Sequence, residues 1–203
     1  MTPAEPPNRA VEFFDTQFRR QAAAGDYVLN PFERSVLPFL SGDLLDLGCG
    51  LGNLSLAAAA NGCSVVAFDA SPAAIEDLSK RARDAGLDVQ ARHADLREFV
   101  PATDFDAVAL IGLAMFFDCT SAQALLSRVR DAVRPGGVAA VNVLVEGTTF
   151  LGMFTSGDYC LIAEHALENA FSGWAVEYLK FEDFPAPGNT VKRFCTLVAR
   201  RPP

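Results

Sequence analysis

Three glycines at every second position follow a short apolar run in residues 44–55, which read LLDLGCGLGNLS. In α/β proteins, an apolar strand that leads into closely spaced glycines and then a helix brings a ligand against bare backbone and a helix N-terminus. A carboxylate, Asp46, interrupts the apolar run. The stretch therefore predicts a ligand-binding turn at the carboxyl end of a buried strand.

The spacing of these glycines excludes two common nucleotide sites. A dinucleotide fingerprint needs G-x-G-x-x-G, but the position of the last glycine falls on Asn53 or Ser55. A phosphate-binding loop ends in G-K-S or G-K-T, and no lysine lies in residues 44–55. The predicted ligand is neither a dinucleotide nor a triphosphate.

Composition and charge limit which binding partners and which cellular compartment are expected. A formal net charge of -8 disfavours nucleic acid and anionic lipid. No apolar run approaches the roughly 20 residues that span a bilayer, and the first ten residues hold no signal core. Five cysteines without a C-x-x-C pair favour reduced thiols. We expect a cytoplasmic protein with no nucleic-acid partner and no membrane partner.

Apolar runs and helical stretches alternate along the chain, which predicts parallel strands with right-handed crossovers. Two helices precede the first strand, and the second is predicted over residues 31–40. The predicted strands are residues 44–47, 64–68, 89–93, 107–111, 138–145, 175–184 and 191–199. The later helices are predicted over residues 53–60, 72–85, 121–133 and 161–171. A turn-rich connection at residues 185–189 predicts an antiparallel hairpin at the end of the sheet.

Five features in this order resemble the class I S-adenosylmethionine-dependent methyltransferases. Residues 46–52, DLGCGLG, are similar to the family's first motif, and Asp69 and Asp95 end the next two strands, where the family places acids. The run 106–117 and the sequence RPGG at 134–137 follow as they do in the family. Either acid alone is equally well explained as a helix cap or a turn residue. The resemblance depends on their ordered combination.

The resemblance implies S-adenosyl-L-methionine as the cofactor and S-adenosyl-L-homocysteine as its product. It assigns Asp46 to the methionyl amino end, Asp69 to the ribose hydroxyls and Asp95 to the adenine amino group. A carboxylate can accept hydrogen bonds from two hydroxyls, and acidic walls suit a cationic sulfonium. The other expected cofactor contacts are Gly48, Cys49, Gly50, Gly52, Asn53, Ala70, Leu96, Ile111 and Tyr27.

The expected fold class is α/β. It is a Rossmann-like, seven-stranded, mostly parallel sheet with an antiparallel last strand, helices on both faces and a short N-terminal helical cap. We expect residues 1–203 to be a single methyltransferase domain, as a monomer or homodimer. Residues 1–40 would be the cap and 41–203 the cofactor-binding core, in which residues 146–172 would be the variable acceptor segment.

The end of the chain resembles the tellurite-resistance branch of this family, through Trp174, Arg193, Phe194, Thr196, Leu197 and Arg200. Members of that branch are expected to methylate tellurium or selenium oxyanions with the help of basic and histidine side chains near the closing hairpin. Here residues 181–192 hold no histidine and no arginine, and they include two acids. We expect a small-molecule acceptor, with a tellurite- or selenite-type oxyanion as the alternative.

Nucleic-acid bases and protein glutamine are less expected acceptors. The subfamily that methylates them carries Asn/Asp-Pro-Pro-Tyr/Phe after strand four, where this chain has IGLA at 111–114. Phe14 and Phe18 share a helical face, and with Met115, Phe116 and Phe117 they are the predicted substrate pocket. Ordinary core packing is the alternative for any one of these residues.

Methyl transfer from a sulfonium is an in-line displacement, so the enzyme must hold the nucleophile close and collinear. A general base is needed only for a neutral hydroxyl or an ammonium acceptor, and the candidates are Glu146 and His93. No histidine spacing completes a zinc site with the cysteines, so no metal is expected. Two alternatives stay open: a non-methylating relative, such as an aminopropyl transferase, and a cofactor-binding scaffold.

Overall fold

Seven strands form one sheet in the part of the chain that our computed structural model describes, residues 9–97, 100, 104–154 and 158–203. The first residues of the predicted cap lie outside these ranges. The strands are β1 (Asp43–Leu47), β2 (Ser64–Asp69), β3 (Val89–His93), β4 (Phe105–Ile111), β5 (Val133–Leu144), β6 (Ala175–Ala186) and β7 (Thr190–Arg200). Their order is β3-β2-β1-β4-β5-β7-β6.

The first five strands are parallel, and β7 is antiparallel to both of its neighbours, β5 and β6. This confirms the predicted fold class. Strand β5 begins at Val133, earlier than predicted, so the RPGG sequence lies inside the strand, opposite a register shift between Phe105 and Ala107. A proline is tolerated there because the ladder of hydrogen bonds is already interrupted at the shift.

Six α-helices surround the sheet: α1 (Arg9–Ala24), α2 (Pro31–Val36), α3 (Asn53–Ala60), α4 (Pro72–Ala85), α5 (Cys119–Ala132) and α6 (Ala166–Ala170). Helix α6 is shorter than predicted, because the chain before it is extended and Ile162 bridges to Val145. No helix within the described ranges is both long enough and apolar enough to cross a membrane.

Local sequence signals fix where these helices begin. The Asn30 side chain accepts the backbone N–H groups of Phe32 and Glu33, both at 2.9 Å, and the Glu33 carboxylate accepts the Asn30 N–H at 2.7 Å. This reciprocal capping box starts α2. The Ser71 hydroxyl accepts the Ala74 N–H at 3.1 Å and starts α4.

Side chains of each central strand alternate between two buried layers. In β1, Leu45 packs in the layer that contains the buried residues of α5, and Leu44 packs in the layer with Leu54 of α3 and Leu78 of α4. Covering both faces of the parallel sheet leaves the carboxyl ends of its strands as the edge where loops can form a site.

Cys119 and Cys160 form a disulfide, with their Cα atoms 4.7 Å apart. The prediction of reduced thiols is wrong for this pair, because folding brings together residues that are 41 positions apart in sequence. The Cys160 N–H also donates to the Met115 carbonyl at 3.2 Å. Because disulfides persist in oxidising environments, the cysteines no longer support the expectation of a reducing compartment. The other cysteines are free and buried: Cys49, Cys63 and Cys195.

Candidate functional site

One cavity of about 420 Å³ lies at the carboxyl ends of the parallel strands. Its wall includes most of the predicted cofactor contacts and all of the predicted substrate pocket. These residues are Gly48, Cys49, Gly50, Asn53, Asp69, Ala70, Asp95, Leu96 and Ile111, with Phe14, Phe18, Met115, Phe116 and Phe117. The structure thus brings the two predicted sets of residues into one space.

The glycine loop joins β1 to α3 and needs glycine for two reasons. Gly48, Gly50 and Gly52 all have positive φ, at +74°, +52° and +70°, a region that side chains disfavour. There is also no room for a side chain. A Cβ on Gly52 would lie 2.4 Å from a methyl carbon of Leu78, and one on Gly50 would lie 3.0 Å from the Phe18 ring. Glycine at position 52 therefore lets Leu78 of α4 pack against the loop. Glycine at position 50 leaves room for the Phe18 ring.

Asp69 ends β2 and holds the glycine loop in place. One carboxylate oxygen accepts the Gly50 N–H at 2.8 Å, and the other accepts the Ser71 N–H at 2.8 Å. Each oxygen keeps a second lone pair, so both can still accept a hydrogen bond from a ligand. Burial raises the pKa of Asp69, and the backbone donors oppose that change.

Asp46 lies beneath the glycine loop rather than on the cavity wall. Its side chain is 2% exposed, and its carboxylate accepts the Ser55 hydroxyl at 2.6 Å. Burial raises the pKa of Asp46 to about 7, and repulsion from Glu33 and Asp69 adds to the rise. This corrects the predicted direct contact with the cofactor's amino end, because a carboxylate at this depth acts on the cavity through its charge.

Glu33 takes the wall position that the sequence had assigned to Asp46. It lies in the first turn of α2 and lines the cavity. Burial raises its pKa as well, while the Asn30 N–H lowers it. Its signal in the sequence was the capping box Asn30-x-x-Glu33, which also brings a carboxylate to the mouth of the site.

Asp95 lines the cavity beyond β3 and is paired with Arg97. The Arg97 Nε lies 3.0 Å and 2.9 Å from the two carboxylate oxygens, and the Arg97 backbone N–H donates at 3.0 Å. This arginine lowers the pKa of Asp95. Asp95 is therefore a carboxylate that stays ionised in the neutral range.

A chain of aromatic rings forms one wall of the cavity. Phe18 stacks on Phe14 at 5.9 Å between centroids, and Phe14 meets Phe116 edge-on at 4.8 Å. Phe116 then lies 5.4 Å from Phe154, which stacks on Tyr159 at 4.8 Å. These rings come from α1, from the turn after β4 and from the segment after β5. The wall is therefore assembled from three distant parts of the chain.

A second group of rings, which the sequence analysis missed, joins α2 to the β6–β7 hairpin. Phe32 lies 4.6 Å from Phe194 and 5.5 Å from Phe184, measured between centroids. Phe32 and Phe194 also line the cavity. No local pattern marks these residues, since their proximity depends on the closing hairpin.

Helix α1 is fixed over the site by polar contacts with α4. Asp15 accepts the Ser71 hydroxyl at 2.6 Å and the Ala73 N–H at 3.2 Å. The Tyr27 hydroxyl donates to Asp77 at 3.0 Å, and the Arg81 guanidinium lies 3.9 Å from the Tyr27 ring centroid. Tyr27 therefore docks the helix connection onto α4 and does not line the cavity, which corrects its predicted contact with the cofactor.

Neither predicted general base lines the cavity. The His93 ring is exposed, with Nε2 3.0 Å from the Ala70 carbonyl oxygen. Glu146 is exposed in the turn after β5, where its own N–H donates to the Ile162 carbonyl at 3.0 Å. Being near a strand end in sequence did not bring either side chain to the cavity, because both are turned to the surface.

All charged residues on the described part of the cavity wall are acids, namely Glu33, Asp69 and Asp95. The wall contains no lysine, arginine or histidine within the described residues. Such a cavity attracts cations and repels anions.

Asn142, near the carboxyl end of β5, is a wall residue that the sequence analysis missed. It is fully buried, and its Nδ2 donates to the Thr196 hydroxyl at 2.9 Å and to the Cys195 carbonyl at 3.4 Å. Its Oδ1 is buried without a hydrogen-bond partner. A polar residue that interrupts an apolar strand, as Asp46 does in β1, is the signal that could have found it.

The chain is similar in sequence to known methyltransferases. Residues 44–137 match a family model described as a methyltransferase domain. Cypemycin N-terminal methyltransferase from a Streptomyces species is 37% identical over 101 residues, which are 49% of this chain and 40% of that protein. Ubiquinone biosynthesis O-methyltransferase from Cereibacter sphaeroides is 32% identical over 109 residues, 53% of this chain and 43% of that protein. The chain thus spans less than half the length of these two relatives.

Among solved structures, TehB from Haemophilus influenzae has the same fold. It superposes with a TM-score of 0.76 at 17% identity, over 89% of this chain and 65% of that chain. The likeness shows that the two chains share a fold.

Proposed function

We propose that the chain is a class I S-adenosylmethionine-dependent methyltransferase and that it methylates a small molecule that carries no negative charge. One observation carries the proposal. The glycine loop and the aromatic wall share one cavity, and every charged side chain on the described part of that wall is an acid.

The cavity residues fit the family's cofactor at the loops after β1, β2 and β3, which we call the donor end. The glycine loop offers bare backbone, and both Asp69 oxygens can accept ribose hydroxyls. Asp95 is available to the adenine amino group, and Glu33 and the buried Asp46 give negative charge for the methionyl ammonium. S-adenosyl-L-methionine, when bound, supplies an electrophilic methyl group on a positively charged sulfur.

The acceptor would lie at the other end of the cavity, which we call the acceptor end. It comprises the turn after β4, the carboxyl end of β5 and the two groups of aromatic rings. Rings from α1 and the β4 turn exclude water and hold an apolar acceptor, so that its nucleophilic atom approaches in line. Acidic side chains stabilise the positive charge as it passes from sulfur to the acceptor atom. No general base is required unless that atom is a neutral hydroxyl oxygen or an ammonium nitrogen.

We propose the same division of the domain as the sequence suggested. Residues 1–40 would be the cap, and Phe14 and Phe18 from its described part lie on the cavity wall. The acceptor segment, 146–172, adds Met153 to the wall and Phe154 to the chain of rings. One domain of this kind is consistent with a monomer or a homodimer.

The oxyanion alternative is less well supported. The resemblance of the chain's end to the tellurite-resistance branch favours it, but the described cavity wall has no cationic side chain to hold an oxyanion. The names of the two sequence relatives indicate a peptide N-terminus in one case and an oxygen atom in the other, so they leave the acceptor atom open. The acidic wall supports a neutral or cationic acceptor.

Two measurements on the wild-type protein test this function. Calorimetric titrations with S-adenosyl-L-methionine and S-adenosyl-L-homocysteine should both show binding, and failure of both would remove the enzyme hypothesis. Formation of S-adenosyl-L-homocysteine is then followed by mass spectrometry with amines, alcohols, thiols, carboxylates and selenite. We expect turnover with neutral or cationic acceptors. Turnover with selenite or carboxylates alone would favour the oxyanion alternative, and binding without any turnover would favour a scaffold.

A further inference from the structure

The unpaired carbonyl oxygen of Asn142 points to the kind of acceptor. The orientation of this side-chain amide is set by its neighbours, because Nδ2 donates to the Thr196 hydroxyl and to the Cys195 carbonyl. A flipped amide would place two carbonyl oxygens against each other. Oδ1 is therefore the atom left over, fully buried and without a partner in a residue of the cavity wall.

A buried carbonyl oxygen without a partner is costly, and native proteins contain few of them. Two buried side-chain atoms in the described residues lack a partner, and the other, Arg193 Nε, belongs to a residue that is not on the cavity wall. Because Oδ1 belongs to a residue of the cavity wall, a ligand group with a hydrogen-bond donor is the partner that this site can supply.

Asn142 lies at the acceptor end of the cavity. It pairs in register with Ile111, the last residue of β4, and its backbone carbonyl accepts the Gly112 N–H at 3.0 Å. The proposed cofactor contacts follow β1, β2 and β3, with Ile111 at the end of β4, and β5 lies one strand farther from them in the strand order. A donor group that reaches Oδ1 would therefore belong to the methyl acceptor.

Building on the proposed function, we propose that the acceptor is a primary or secondary amine on an apolar body, and that Asn142 Oδ1 accepts its N–H. Alcohols also donate hydrogen bonds, but the product of amine methylation is a cation. Acidic residues line the cavity, and aromatic faces attract such a cation. Among the described wall residues, only Asn142 has an oxygen that is both buried and unpaired.

The reaction balances without a protein base. The neutral amine's lone pair forms the new nitrogen–carbon bond as the carbon–sulfur bond breaks, and the electron pair of the broken bond stays on sulfur. The positive charge moves to nitrogen, and the amine keeps its proton until the ammonium product has left. The N–H bond to Oδ1 strengthens as this charge develops, so Asn142 stabilises the transition state more than the bound substrate.

The first test is spectroscopic and uses the protein saturated with S-adenosyl-L-homocysteine. N-methylbenzylamine is the probe, and benzoate is the anionic control of similar shape. We expect the side-chain amide resonances of Asn142 to shift with the amine and not with benzoate. No shift up to the solubility limit of the amine, or an equal shift with benzoate, would overturn the proposal.

The second test separates this role from a structural one. Asn142→Leu should lower kcat/KM for N-methylbenzylamine on the order of 10- to 100-fold with unchanged affinity for S-adenosyl-L-homocysteine. Asn142→Asp keeps an acceptor oxygen, and its buried carboxyl, when protonated, can donate to the Cys195 carbonyl as Nδ2 does, so this variant should restore most of the rate. Unchanged turnover in Asn142→Leu would overturn the proposal, and so would equal loss of cofactor affinity in both variants. If the wild type does not bind S-adenosyl-L-homocysteine at all, the proposed function fails, and this inference fails with it.

Discussion

The donor end and the acceptor end of the cavity are built in different ways. The donor end consists of backbone and short side chains within a few residues of three neighbouring strand ends, such as the glycine loop and Asp69. The acceptor end consists of large side chains from α1, α2, the turn after β4 and the closing hairpin. At the donor end, residues close together in sequence fix which ligand binds. At the acceptor end, the contacts come from distant elements, so the ligand can change without a change of fold.

The largest expected effect lies at the donor end, where the glycine loop has no spare room. Gly52→Ala should destabilise the protein by about 2–5 kcal/mol, from the left-handed backbone and the overlap with Leu78. Gly86→Ala is the matched control, because it also has positive φ but has nothing within 4 Å of the added Cβ. Its cost should be about 1 kcal/mol. Chemical denaturation measures both, and equal costs would mean that the contact with Leu78 is unimportant.

At the acceptor end, loss of the disulfide should leave the donor end intact. The double variant Cys119→Ser/Cys160→Ser should lose about 2–4 kcal/mol, as expected for a cross-link that closes a loop of this length. Its affinity for S-adenosyl-L-homocysteine should not change. Reduction of the wild-type protein should give the same loss of stability. A large fall in cofactor affinity would show that the two ends are coupled.

The same division explains what the sequence could predict. The strands and the turn of the glycine loop depend on residues close together in the chain, and the structure has them near their predicted positions. The Cys119–Cys160 disulfide and the Phe32–Phe194 contact join residues far apart, and no spacing rule announces them. Asp46 was recognised, but its depth below the loop depends on how α3 packs, which a motif does not encode.

The buried carboxylate of Asp46 should lower the stability of the folded protein, although its charge is proposed to help bind the cofactor. Because its pKa is raised to about 7 in the folded protein, stability from its protonated form is present at low pH and is lost as the pH rises through about 7. Asp46→Asn should therefore stabilise the protein by about 2–4 kcal/mol near about pH 8. The gain should shrink as the pH falls below about 7 and should vanish only below about pH 4, where Asp46 is protonated in both the folded and the unfolded protein.

The control for Asp46 is Asp88, which also accepts a serine hydroxyl at 2.6 Å, from Ser64, but is exposed. Asp88→Asn should change stability little at either pH, because an exposed carboxylate is not desolvated. Thermal denaturation at the two pH values measures all four cases. A gain in Asp46→Asn that does not depend on pH would contradict the assigned cost of the buried charge.

A smaller effect should appear in the pH dependence of cofactor binding. The pKa values of Asp46, Glu33 and Asp69 are all raised, chiefly by burial. A bound cation favours their ionised forms, so binding near neutral pH should release protons. Affinity for S-adenosyl-L-methionine should fall about 3- to 10-fold between about pH 7.5 and about pH 6. Calorimetry in buffers of different ionisation enthalpy measures the released protons, and proton uptake would have the wrong sign.

The most direct test of the donor end compares cofactor binding by the wild type and Asp69→Ala. The account predicts that S-adenosyl-L-homocysteine binds the wild type and that the variant binds it at least about 100-fold more weakly, since two hydrogen bonds to a carboxylate and the support of the Gly50 N–H are lost. The variant must first be shown to be folded by circular dichroism. Unaltered binding by a folded Asp69→Ala protein would contradict the assignment of the donor end.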